Sequence, residues 1–167
     1  MLIKHKEQRV GVFVDVQNLY YSAKNLYQAK VNFGALLQHC VAGRKLIRAI
    51  AYVIRGPQSI DDNFFKALEH QGFEIKSKDL QVFAGGNKKG DWDVGLVIDA
   101  IKMARNLDVV VLISGDGDYI PAVEYLQYHG VLVEVAAFAE TSSSKLKEAA
   151  DDFVDMSKFT KKFLIKG

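Results

Sequence analysis

At 167 residues, 49% of them apolar, the chain suits one domain over residues 1–167 with its core from about Arg9 to about Phe159; a domain near this size buries roughly 70% of its unfolded surface and needs no staple. Its lone cysteine, Cys40, excludes an internal disulfide. With no secretory leader and no apolar run near the roughly 20 residues that cross a bilayer, a cytoplasmic protein with no membrane partner is expected. The net charge of +2 is too small to mark a nucleic-acid binder by itself, yet it sums over any acidic pocket and the basic surface around it.

In chain order, β-branched runs predict strands over Arg9 to Val14, Leu46 to Ile54, a weaker Phe73 to Phe83 region, Asp108 to Ile113 and Val131 to Ala136. Segments of helical period lie between and after them: Leu19 to Gln28, Phe33 to Val41, Asp62 to Gln71, Trp92 to Asn106, Tyr119 to His129 and Ser143 to Ala150. Strands that are apolar almost throughout are buried on both faces, the mark of a parallel sheet covered by helices. The expected fold class is therefore α/β, a three-layer α/β/α domain with a central, mainly parallel sheet. Of the two prolines, Pro57 marks a turn and Pro121 a helix start.

Three stretches deliver acids where such a sheet presents its strand tips: Val12 to Asn18 with Asp15, Lys89 to Val94 with Asp91 and Asp93, and Leu112 to Asp118 with Asp116 and Asp118. Ligand crevices of open parallel sheets lie beyond the carboxyl ends of the strands. If the first strand and the one ending at Ile113 are neighbours, Asp15, Asp116 and Asp118 face one another and Asp93 joins them from the first turn of the next helix. Each acid has an ordinary local reading as a helix cap or an Asx-turn. Their coincidence at strand tips is what points to chemistry.

Two carboxylates about 4 Å apart repel by roughly 4 kcal/mol at an effective dielectric of 20. Such a cluster demands either protonation or a cation, and an all-oxygen donor set without Cys or His suits Mg²⁺ or Mn²⁺. Divalent ions held by carboxylates serve phosphoryl chemistry.

The phrases Val14 to Leu19, Lys89 to Val94 and Leu112 to Pro121 resemble, in this order, the NYN domain, specifically its LabA-like branch, within the PIN-like nuclease superfamily. The resemblance runs from about Arg9 to about Phe159. It implies a PIN-like fold and a metal-dependent ribonuclease, a hydrolase that cuts RNA phosphodiesters with water activated by Mg²⁺ or Mn²⁺. It carries over Asp15, Asp93, Asp116 and Asp118 as metal ligands and catalytic acids. Asn18 and Ser114 match positions that orient a carboxylate or touch a substrate phosphate. Asp99 matches a recurrent acid of the family, although placing successive residues 100° apart puts Val94, Val97, Ile98 and Ile101 on one side and Asp99 nearly opposite. Asp91 replaces Asp93 if that helix begins earlier.

Lys89, and less so Lys88, sit just ahead of Asp93 and are candidates for phosphate contact. Arg44, Lys45, Arg48 and Arg55 read as solvated surface base and are left out of the site. Trp92 is expected to pack, with base stacking its rarer role. Tyr20 and Tyr21 follow Asn18 and read as core aromatics before base-stacking ones. The tail from Lys158 to Lys162 suits a docking segment as readily as an RNA contact. The alternative function is a non-catalytic RNA- or protein-binding regulatory module of the LabA-like type, acting as a homo-oligomer or on a regulatory partner. Phosphatases with an aspartyl nucleophile usually carry a second acid two residues after the first, where Gln17 stands.

Overall fold

The computed structural model describes residues 3–55, 62–79, 81, 82, 88, 89 and 91–166, the side chains of 81, 82, 88 and 89 lying outside that description. In chain order the elements are β1 (Arg9–Asp15), α1 (Val16–Tyr27), β2 (Lys30–Val31), α2 (Phe33–Val41), β3 (Lys45–Arg55), α3 (Asp62–His70), β4 (Glu74–Asp79), β5 (Gln81–Val82) and β6 (Lys88–Lys89). After these come α4 (Asp93–Met103), β7 (Val109–Ile113), α5 (Ile120–Tyr128), β8 (Leu132–Ala137), α6 (Ser144–Ala149), β9 (Asp152–Asp155), α7 (Thr160–Phe163) and β10 (Leu164–Ile165). Six strands form one sheet in the order β4-β3-β1-β7-β8-β9, and every neighbouring pair is parallel. Two small antiparallel pairs, β2 with β10 and β5 with β6, lie outside it.

Alternation along β1 explains the layers. Val10, Val12 and Val14 point into one core with Leu19 and Ala23 of α1, Leu36 and Cys40 of α2, and Phe65 and Leu68 of α3. Phe13 points into the other, with Leu96 and Ala100 of α4, Val123 and Leu126 of α5, and Leu146 of α6. Strands β1 and β7 are buried almost throughout, as two-sided coverage requires. The chain leaves β1 toward one face through α1 and leaves β7 toward the other through α5. The carboxyl ends of these adjacent strands are thus a topological switch point, where a crevice forms.

Two expectations change in detail. The weak strand region is split: β4 closes one edge of the main sheet, β5 belongs to the β5–β6 pair, and Phe83 and Pro57 fall outside the described residues. Strand β9 and the β2–β10 pair were not expected, because four and two residues are too short for a periodicity signal. In the tail, Phe163 is fully buried in the α1–α2 core, so this segment docks. Among the described residues, no helix is long and apolar enough to cross a membrane.

Arg44 is not the surface base its sequence suggests. It is 6% exposed and makes a bidentate pair with the equally buried Glu134 of β8, both N–O distances being 2.9 Å. Its remaining donors reach the carbonyls of Cys40 and Val41 and the side-chain oxygen of Gln8. The fork ties the α2–β3 turn to β8. Breaking a buried pair from one side leaves a buried charge without compensation, which costs about 3–5 kcal/mol. Glu134→Ala is therefore expected to lower unfolding free energy by about that amount in urea titrations, and the double change Arg44→Met with Glu134→Leu to recover most of it.

Candidate metal centre

Asp15 ends β1, and the next residue already begins α1. The Asp15 carboxylate caps that helix by accepting from the Asn18 amide at 3.3 Å. Its second oxygen accepts from the Ser114 hydroxyl and from the Tyr119 hydroxyl, each at 3.2 Å. Asp15 is 9% exposed, so these three donors replace most of its water.

The loop after β7 is built around the same centre. Ser114, fully buried, accepts from the Asp116 amide at 3.2 Å while donating to Asp15. The Asn18 side-chain oxygen accepts from the Gly115 amide at 3.0 Å, lashing this loop to the start of α1. Asp116 in turn accepts from the Asp118 amide at 2.9 Å. The loop carries glycine where the following segment presses on it: a Cβ at Gly115 would stand 2.6 Å from the Ser142 hydroxyl oxygen, and one at Gly117 3.0 Å from that of Ser143.

Asp93 enters from the first turn of α4. It forms with Asp116 and Asp118 a group in which one carboxylate oxygen from each lies within 4.8 Å of the others. Asp93 and Asp116 are half-buried and Asp118 is exposed, so the group opens to solvent on one side. Asp15 lies outside this trio but is joined to it by the Tyr119 hydroxyl, which is also 3.2 Å from Asp93. One phenolic proton serves two carboxylates. Asp91 is exposed and outside the trio.

The electrostatics follow from this crowding. Burial, then the charges of Asp116 and Asp15, push Asp93 up to about 6. Asp15 is also raised, by burial first, against the opposing hydrogen bonds from Asn18, Ser114 and Tyr119. Burial and the two neighbouring carboxylates raise the Tyr119 phenol, so it stays a donor. The all-oxygen donor set fits a hard divalent cation of the Mg²⁺ or Mn²⁺ type.

Asp99 stands apart from these acids. Its carboxylate accepts from the Tyr52 hydroxyl at 2.8 Å and pairs with Lys76 at 2.6 Å. Burial alone would raise it, but Lys76 and Tyr52 together leave it below its ordinary value. The expected apolar stripe of α4 is corrected as well: Val94 is 74% and Ile98 44% exposed, while Leu96 and Ala100 face the sheet. Lys89 sits by its backbone in β6 opposite Gln81, and its side chain is outside the described residues. Tyr20 and Tyr21 are exposed and stack edge to face at 5.4 Å. Tyr119, in the sequence only the first residue of a helix, carries no mark of this role: its burial and its two carboxylate partners come from the fold.

The match to known proteins is consistent with this geometry. The NYN domain profile covers residues 9–157. This chain belongs to the NYN domain family. It is 26% identical over 164 residues to the low amplitude and bright protein LabA of Synechococcus elongatus, across 91% of this chain and 86% of that one. It is 25% identical over 152 residues to the uncharacterized protein MJ0482 of Methanocaldococcus jannaschii, spanning 87% of this chain and 54% of that protein. A crystal structure of a protein of unknown function, VPA0982 from Vibrio parahaemolyticus, superposes with a TM-score of 0.85 at 32% identity, covering 98% of this chain and all of that one.

Because Asp93 binds its proton more tightly folded than unfolded, its contribution stabilises the metal-free NYN domain at low pH and is lost as pH rises through about 6. With EDTA present, the melting temperature is expected to fall from about pH 4.5 to pH 7 by a component that Asp93→Asn removes. A cation must displace that proton, so Mn²⁺ should bind about tenfold more tightly at pH 7 than at pH 5. Equal Mn²⁺-induced thermal shifts at both pH values would contradict this placement of Asp93.

Proposed function

We propose that this NYN domain is a metal-dependent ribonuclease that hydrolyses RNA phosphodiesters. The observation that carries the reading is the convergence of Asp93, Asp116 and Asp118 within 4.8 Å at the switch point of a parallel sheet, in a family whose fold belongs with the PIN-like nucleases. Asp93, Asp116 and Asp118 would hold the cation, Mg²⁺ or Mn²⁺. When bound, that cation supplies Lewis-acid polarisation of a phosphate oxygen and acidification of a water.

The chain's own residues have distinct tasks. Asp15, locked by three donors, fixes the Tyr119 hydroxyl and the Ser114 hydroxyl, and through Tyr119 it orients Asp93. Ser114 and Asn18 hold the backbone of the acidic loop, so that Asp116 and Asp118 present their carboxylates without reorganisation. Ser114, the serine that touches the acids, is fully buried with its hydroxyl held between Asp15 and the Asp116 amide, which suits attack by water rather than by a protein nucleophile. The open side next to Asp118 gives a strand of RNA access. The relative LabA is named for low amplitude and brightness rather than for a reaction, and a module that binds RNA or protein without cutting is the competing outcome.

Asp116→Asn is expected to abolish Mn²⁺-dependent cleavage of a labelled single-stranded RNA while preserving the melting temperature, since it relieves repulsion. Ser114→Ala, which loosens a ligand's support, is expected to cost roughly 10- to 100-fold. Undiminished cleavage by purified Asp116→Asn, or cleavage unaffected by EDTA, would overturn the assignment.

A further inference from the structure

The basic residues of strands β3 and β4 differ in what they are attached to. Lys45 pairs with Glu7, Arg48 with Glu74 and Lys76 with Asp99. Arg55 lies over the ring of Phe65, its guanidinium carbon 4.7 Å from the centroid. Lys78, exposed near the carboxyl end of β4, has no carboxylate partner among the described residues; its ammonium lies 4.4 Å from the centre of the Trp92 ring.

That ring is a built support rather than a passing contact. The indole N–H donates to the Val53 carbonyl at 2.8 Å, and Tyr52 packs edge to face at 5.3 Å. The neighbouring Gly95 has no side chain to displace it, for a Cβ there would lie 2.6 Å from the ring. Trp92 is also the residue immediately before Asp93. The fold thus holds on a rigid aromatic platform a cation that no carboxylate of the described residues pairs, at the same end of the sheet as the acids. In the strand order, β4 is two places from β1 and three from β7, whose following loop carries Asp116 and Asp118, a lateral offset of roughly 10–15 Å.

This offset matters because a polyanion approaching Asp93, Asp116 and Asp118 is repelled wherever a cation does not compensate it. A bound metal ion compensates at the cut phosphate; the phosphates on either side need protein cations. We propose that Lys78, steadied on Trp92, takes a phosphate flanking the one that is cut, so that the carboxyl end of β4 forms one bank of a track for single-stranded RNA. The proposal rests on the reading of the acid site as acting on RNA, and it names the side from which the strand runs. Lys76 does not share this task, because Asp99 already neutralises it. The cation–π contact costs little to keep when the ammonium also meets a phosphate, since the ring needs only one face of it.

The test is binding of a fluorescent single-stranded RNA of about twelve nucleotides by anisotropy, in EDTA to suppress cleavage, over a series of salt concentrations. One phosphate contact on a single strand contributes a salt slope of about 0.7, worth about fivefold in affinity at 0.1 M salt. Lys78→Ala is expected to weaken binding about fivefold and flatten the slope by about 0.7, Lys78→Glu to weaken it further, and Lys78→Arg to restore both. Lys45→Ala, at the amino end of β3, is expected to leave binding unchanged. Wild-type cleavage and binding with an unaltered Lys78→Ala salt slope would overturn the track while sparing the nuclease reading. Binding that depends on Lys78 in a protein that never cleaves would retain the track and remove the nuclease reading. A wild-type protein that neither binds nor cleaves the RNA when Mn²⁺ is present would remove both.

Discussion

Carboxylates at one end of a parallel sheet repel one another, and the way this repulsion is met shapes everything around it. Asp15 is met by protein: an amide and two hydroxyls surround it, and it is almost cut off from water. Asp93, Asp116 and Asp118 are met only in part, and they face outward as a trio. Tyr119 stands between the two arrangements with a single proton to offer. A hydroxyl cannot satisfy two ionised carboxylates at once, so the pair Asp15 and Asp93 is left short of positive charge. That deficit is what a divalent cation beside Asp93 would relieve, and it is built by residues from β1, α4 and the turn before α5.

The fold makes this convergence inexpensive. Strands β1 and β7 are neighbours, and the chain leaves them toward opposite faces, so among the described residues no helix closes over their carboxyl ends. The amino end of the sheet is organised differently, with Arg44 and Glu134 forming a buried pair supported by carbonyls. Charge at one end is matched within the protein, while at the other it is left partly unmatched. Stability and chemistry are thereby separated along the strand axis.

Much of this is written in the chain. Apolar runs such as Val109 to Ile113 mark two-sided strands, and acids directly after them can lie only at the sheet's edge. The phase of α4 was harder to see. Val94 and Ile98 carry more hydrophobic weight than Gly95 and Ala100, yet the small residues face inward, where Trp92 and the sheet come close. Counting apolar side chains rewards bulk, whereas close approach rewards its absence. That inversion is why Asp99 looked misplaced on the helix and yet finds Tyr52 and Lys76. Tyr119 was illegible for another reason: its burial is set by packing in the second core, and its hydroxyl gains meaning only once Asp15 and Asp93 are brought to it. Arg44 likewise has no sequence mark that distinguishes it from Lys45, because its partner lies 90 residues away.

The packing of Gly115 and Gly117 against Ser142 and Ser143 has a consequence for descent. Neither glycine can gain a side chain unless the serine opposite gives way, so the two segments cannot drift independently. Lineages that alter one would be expected to carry a matching change in the other, leaving a paired signature in the history of the fold 26 or 27 residues apart along the chain.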